Sequence, residues 1–248
     1  MLRLGRWIPL WATFIFLGVM QPITYKLLPS LLSVGNLPEG TVIHIPSPAP
    51  GEVLVSVVGQ YNQLGVLALI LVAMGSIAGE RNTVGEWLWS KPIVLYQYVL
   101  AKFLVLFITS FTAILVGFGL AGYYTEQLIG AISWSALAQG VLLYGLYLAF
   151  LISLILCTSA LANSPTVAGG LALILIIAIN LAPPLLWDSP HFVPGLLSLL
   201  STTMNQAAWT STTPSWEPVL TTGLATFFLL GIQLPILSYK ANLTGAKP

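Results

Sequence analysis

Of the chain's 248 residues, 57% are hydrophobic and only 6% are charged, against about a quarter in an ordinary soluble domain. Eight basic and seven acidic side chains cannot cover a water-facing surface, which excludes a soluble globular domain. A formal charge of +1 offers no basic field to neutralise a phosphate backbone, which excludes a nucleic-acid partner.

A charge in the hydrocarbon core costs several kcal/mol, so charge-free apolar runs of about 20 residues mark membrane spans. The first lies between Arg6 and Lys26 and predicts a span over 7–25. Arg3 and Arg6 ahead of an apolar stretch also resemble a cleaved signal peptide, but the run is long and no small-x-small cleavage site follows. The next uncharged run, 53–79, opens on the polar residues Gln60, Tyr61, Asn62 and Gln63, and its membrane part is expected over 62–78. A third span is expected over 103–124, closing on Tyr123 and Tyr124 as an interfacial aromatic anchor.

No charge occurs from Gln127 to Trp187, which is too long for one helix. The turn chemistry of Ala162-Asn163-Ser164-Pro165-Thr166 divides it into spans over 135–159 and 167–187, with Pro183-Pro184 disturbing the last turn. A sixth span is expected over 218–239. Two outer segments, 26–52 and 188–217, exceed what a connector needs. The second contains Phe192-Val193-Pro194-Gly195-Leu196-Leu197, the start of a stretch too short and too polar to span, read as a helical hairpin or interfacial helix dipping into the outer leaflet.

Orientation follows from the excess of Lys and Arg on cytoplasmic segments. With the N-terminus inside, Arg3, Arg6, Arg81, Lys91, Lys102, Lys240 and Lys247 are cytoplasmic and only Lys26 is outside. The fold class expected is therefore an all-α membrane protein: one domain over 1–248, six transmembrane helices, both termini cytoplasmic, multi-pass in the cell's inner (cytoplasmic) membrane.

The predicted spans contain no Asp, Glu, His, Lys or Arg of the kind that relays protons or ions in gradient-driven pumps. Their most polar mid-span residues are Gln139, Asn180 and Gln233, candidates for a substrate path that could equally hydrogen-bond a neighbouring helix. Cys157 reads as a small buried hydrophobe. His44 and His191 are far apart, with only Asp188 near either, so no metal site is expected. Small residues at four-residue spacing, Gly75 with Gly79 and Ala113 with Gly117 and Ala121, would let helix backbones approach closely. There is no G-x-x-x-x-G-K-[ST] and no Gly-Lys pair anywhere, so the chain has no phosphate-cradling loop and any ATP must be handled by another polypeptide. The chain is expected to be non-catalytic; G-x-S-x-G is also missing.

One loop is dense in charge. Between the second and third spans, over 79–102, it reads Gly79-Glu80-Arg81-Asn82-Thr83-Val84-Gly85-Glu86-Trp87-Leu88-Trp89-Ser90-Lys91-Pro92, then Tyr98 and Lys102. Trp87, Leu88 and Trp89 among charges suit an amphipathic element at the membrane surface. Here the sequence resembles the permease subunits of ABC type-2 exporters, whose second and third spans are joined by a Glu-Arg, Gly, Leu-Leu-Ser-x-Pro, Gly-Lys pattern. Glu80, Arg81, Gly85, Leu88, Ser90, Pro92 and Lys102 stand where that pattern expects them. It departs at Gly85-Glu86, where Gly-Thr is usual and which is set one residue late, and at Ala101, where Gly is usual.

The resemblance extends over the whole chain as architecture. It implies a coupling helix at Glu80, Arg81, Gly85, Trp87, Leu88, Ser90 and Pro92 that docks on a separate ATPase. It also implies ABC ATPase subunits carrying ATP and Mg, none of it bound by this chain, and a second permease, identical or paralogous, within the lipid bilayer. A secondary transporter or channel, or a non-transporting accessory subunit, is the alternative; the former would show inverted repeats or intramembrane ionisable groups.

Overall fold

A backbone surrounded by lipid must satisfy its own hydrogen bonds, and the apolar runs of this chain do so as helices. The computed structural model describes residues 7–34, 48–80, 95–186, 192–205 and 216–243, and among these no strand occurs. In chain order the helices are α1 (Ile8–Val34), α2 (Pro50–Gln60), a π-helical turn (Tyr61–Gly65), α3 (Val66–Ala73), α4 (Leu95–Leu128), α5 (Trp134–Leu161), α6 (Pro165–Leu186), α7 (Phe192–Met204) and α8 (Glu217–Leu243).

Five stretches of the described residues are long and apolar enough to cross a membrane: Ile8–Leu28, Pro50–Glu80, Leu95–Leu128, Trp134–Leu161 and Glu217–Tyr239. The run expected to form a fifth span folds as α6, which contributes the shorter apolar stretch Pro165–Leu181. The helices continue past the charges that bounded the runs in the sequence. The second span starts at Pro50, and α4 starts at Leu95, so Tyr98 and Lys102 are helical rather than part of a connecting loop. A long cationic side chain can lay its stem on apolar surface and carry its charge to the interface, so Lys102 does not end a helix.

Helix α5 is the hub. Of its apolar window 72% is buried, against 28% for α1 and for α4 and 17% for α8. Tyr144, Tyr147, Leu148, Leu151, Ile152 and Ile155 on α5 are all fully enclosed, and α4, α6, α7 and α8 pack around it. Ser133 caps its start, its hydroxyl accepting from the Ala136 amide at 3.3 Å. Helix α7, expected as an interfacial or hairpin element, buries Val193, Leu196, Leu200 and Met204 against the bundle, and Gly140 of α5 leaves the space that the Met204 side chain fills.

Close packing of α1 on α4 depends on two glycines, one of them in the small-residue series read from the sequence. A Cβ at Gly117 would stand 2.9 Å from the Phe14 carbonyl oxygen, and one at Gly18 would stand 2.7 Å from the Tyr61 hydroxyl. Ala113 and Ala121 are buried on the same face of α4. Into this crossing the π-turn delivers Tyr61, whose hydroxyl donates to the Phe14 carbonyl at 2.8 Å. Its ring lies edge-on to Phe14 and to Phe118, each at 4.9 Å between centroids, and the chain of rings continues through Tyr144 to Tyr147.

Candidate functional site

The second span does not end as a simple α-helix. After Ala73 the backbone passes through turns over 74–77, which would leave amide groups unpaired in a buried place. One serine of α5 repairs this. The Ser159 hydroxyl accepts from the amides of Ile77 at 3.2 Å and Ala78 at 3.0 Å, and donates to the Met74 carbonyl at 2.8 Å. Gly169 of α6 admits the Met74 side chain, and Pro165 lies against Gly79. The end of span two is thereby held between α5 and α6.

That anchorage sets the position of Glu80. Its carboxylate pairs with the Lys102 ammonium, two turns inside α4, and accepts from the Tyr98 hydroxyl at 3.1 Å. The Lys102 ammonium also lies 5.6 Å from the centre of the Tyr98 ring. Two ends separated by 22 residues of sequence are thus joined by a charged clamp at the base of the charge-dense loop. Because the Glu80 side chain is 41% exposed and that of Lys102 26%, solvent screens the pair, and its worth is about 1 kcal/mol or less. Geometry is its larger contribution: it ties the last residue of span two to the first turns of α4.

Of the residues that the resemblance led us to expect in a coupling helix, Glu80 lies in this clamp. Arg81, Gly85, Trp87, Leu88, Ser90 and Pro92 lie outside the described residues.

The three candidates for a substrate path have separate surroundings. Gln139 is exposed near the start of α5 and lines a cavity of about 530 Å³ with Leu142, Leu143, Leu146, Leu199 and Trp216 among its other walls. Asn180 donates to the Ile176 carbonyl of its own helix at 2.8 Å. Gln233 is fully buried, its amide nitrogen donating to the Ser153 carbonyl of α5 at 3.0 Å; its side-chain oxygen has no partner among the described residues. Reading the sequence for isolated polar residues missed the group that joins two spans here. The Tyr147 hydroxyl of α5 donates to Asn62 of the π-turn at 2.6 Å, a polar bridge between span two and α5. The polar opening at Gln60 to Gln63 was the only signal of it, and tyrosine 147 among apolar neighbours gave none.

These features define a multi-pass helical membrane protein in which the charge-dense loop is clamped at its base. A family model described as ABC-2 family transporter protein matches residues 60–234, from the polar opening of span two to the buried Gln233 region of α8. Among curated proteins, the chain is 32% identical over 191 residues to the uncharacterized transmembrane protein YxlG of Bacillus subtilis (strain 168), covering 76% of this chain and 73% of that one. The chain belongs to the ABC-2 transporter family.

Proposed function

We propose that this chain is the transmembrane permease subunit of an ATP-driven exporter, with six spans and both termini on the cytoplasmic side of the inner membrane. ATP and Mg belong to separate ABC ATPase subunits, and two permeases, identical or paralogous, meet in the complex. The loop that starts at Glu80 and includes Arg81, Gly85, Trp87, Leu88, Ser90 and Pro92 takes up the movement of the ATPases. The observation that supports this reading most directly is the Glu80–Lys102–Tyr98 clamp, which couples that loop to two spans at once in a chain of the ABC-2 transporter family.

Closure of the ATPases on ATP biases the bundle from an inward-facing to an outward-facing state. ATP can do so only by binding the two states with different affinity, since equal affinity shifts nothing. Span two transmits the bias to α5 through Ser159 and, nearer the outer end, through Asn62 and Tyr147. The spans offer amides, hydroxyls and aromatic rings but no mid-span charge, which suits a lipid-like, peptide or other amphipathic cargo, with Gln139, Asn180 and Gln233 as candidate contacts along its path.

The test is co-expression with a partner ATPase and reconstitution in vesicles. Glu80→Ala with Arg81→Ala should abolish cargo-stimulated hydrolysis while membrane insertion and the bundle's stability stay intact. Full stimulation and transport in that double variant would remove the loop from the mechanism. Cargo flux driven by a proton or sodium gradient in vesicles holding this chain alone would overturn the exporter reading itself.

A further inference from the structure

Three helices leave a cavity at the end of the bundle remote from the Glu80–Lys102 clamp. Leu142, Leu143 and Leu146 of α5 form one wall, Leu199 and Thr203 of α7 a second, and Trp216, just before α8, a third, around a volume of about 530 Å³. Leu142 and Trp216 are each 67% exposed, so the cavity opens to the outside of the bundle. Its walls are held by packing elsewhere: α7 buries Val193 and Leu196, and Met204 fills the space that Gly140 leaves on α5. The cavity is therefore preformed.

Its depth follows from the anchorage at Ser159. That hydroxyl bonds to Ile77 and Ala78, just before Glu80, so Ser159 stands close to the level of the clamp. Gln139, which also lines the cavity, is about 20 residues earlier on the same helix, or about 30 Å away. A hydrocarbon core is about 30 Å thick, so Gln139 stands at its far edge. Leu142, Leu143 and Leu146 lie about 5–10 Å deeper. Trp216 is of the residue type that gathers at such an edge, between apolar chains and wet headgroups. The cavity thus has a polar rim and an apolar floor, in the order in which a bilayer lipid presents its headgroup and its chains.

Size selects among occupants. A dry apolar cavity of about 150 Å³ holds one benzene ring, so this one has room for an alkyl chain of roughly 20 carbons. A helix of a second copy, about 10 Å across, would use up the same volume in about 7 Å of its length. Water would lie against leucines, short of the two to four polar partners it needs. An empty cavity would deprive its lining of van der Waals partners.

The rim selects the headgroup. Thr203 donates its hydroxyl hydrogen to the Leu199 and Leu200 carbonyls and can only accept from a ligand. The exposed Gln139 amide makes no hydrogen bond among the described residues. Described charges at this end of the bundle are Glu52, Glu126 and Glu217 against Lys26. This surplus of acceptors and negative charge suits an ammonium donor and disfavours a headgroup of net negative charge.

We infer that this cavity binds a phospholipid of the outer leaflet, one acyl chain lying along the leucines of α5 and α7 and an ammonium-bearing headgroup at Gln139 and Thr203. Only the side of the membrane rests on the permease reading; the site and its test involve neither ATP nor cargo.

The full chain is placed in nanodiscs of mixed phosphatidylethanolamine and phosphatidylglycerol. A trace of one or the other lipid carries a photoactivatable diazirine midway along an acyl chain, and cross-linked residues are mapped by mass spectrometry. With the phosphatidylethanolamine probe, Leu143, Leu146 and Leu199 should label about 5-fold or more above Ile108 and Leu115, which are exposed on α4. With the phosphatidylglycerol probe that enrichment should fall about 3-fold. Leu146→Trp and Leu199→Trp fill the cavity from opposite walls, and either variant that stays inserted and monodisperse should bring Leu143 down to the level of Ile108. Labelling of Leu143 and Leu199 no greater than that of Ile108 in the unchanged chain would overturn the site, whether residues 206–215 of this chain or a second copy then fill it. Enrichment that survives both tryptophans would overturn it too, and equal enrichment with the two lipids would remove the ammonium recognition. Labelling as expected in a chain that stimulates no ATPase would keep the lipid site and reject the exporter.

Discussion

Ser159 is the most economical place to challenge this account of how span two is held. Changing Ser159→Ala removes a hydroxyl that serves three backbone groups at 2.8 to 3.2 Å in a fully buried position. Two amides, those of Ile77 and Ala78, lose the acceptor they have there, and each stranded buried donor costs about 1–3 kcal/mol. The Met74 carbonyl loses its bond as well, though a carbonyl tolerates this better. Allowing for relaxation of the turn, the expected loss is about 2–4 kcal/mol. Ser153→Ala is the matched control: it lies on the same helix, is equally buried, and gives up a single bond to the Ala149 carbonyl of its own helix. That change should cost about 1 kcal/mol or less. Equilibrium unfolding in mixed micelles of a mild detergent and SDS reads both. Equal losses in the two variants would refute the idea that Ser159 secures the end of span two, because burial alone would then account for the effect.

Gly117→Leu should destabilise the bundle by about 1–3 kcal/mol in the same assay, since its side chain must displace the Phe14 backbone or the Tyr61 hydroxyl, whereas Gly119→Leu, which faces open space, should not. Tyr147→Phe should lower stability by only about 0.6 kcal/mol, typical of a hydrogen bond between membrane helices, yet reduce cargo-stimulated hydrolysis if the polar bridge carries movement from span two. Glu80→Lys and Lys102→Glu should each impair stimulated hydrolysis, and the combined exchange should restore part of it; a double variant as poor as the singles would show that the clamp acts otherwise than through its charges. Gln233→Leu trades one bond to Ser153 for removal of an unpartnered buried oxygen, so its stability should stay within about 1 kcal/mol of the unchanged protein.

The sequence was most readable where one force decides the outcome. Exclusion of charge from hydrocarbon picked out the apolar runs, and the loop pattern around Glu80 identified the family. Small residues at Ala113, Gly117 and Ala121 pointed to a close helix crossing, and the structure places α1 there. Pairings across long separations could not be read in this way. Ser159 and Met74 are 85 positions apart, as are Tyr147 and Asn62, and neither serine nor tyrosine announces its partner from within an apolar run. Lys102 was legible as a loop charge only, because charge marks an interface without saying whether the backbone there is helical. Asn180 and Gln233 were visible as polar outliers, but their nearest bonds go to carbonyls, which carry no side-chain signature.

The π-turn at Tyr61–Gly65 bears on what an insertion or deletion would do to span two. A π-turn takes up one extra residue within a single wider turn, whereas an α-helix advances about 100° per residue. Excising one residue there would let the turn close to ordinary α geometry and leave Glu80 close to Lys102, at the expense of the Tyr61 or Asn62 contacts, while excising one from α3 would spin the lower part of the span by roughly a quarter-revolution and sweep Glu80 away. The turn is thus the place in span two where chain length is most forgiving and side-chain identity least so.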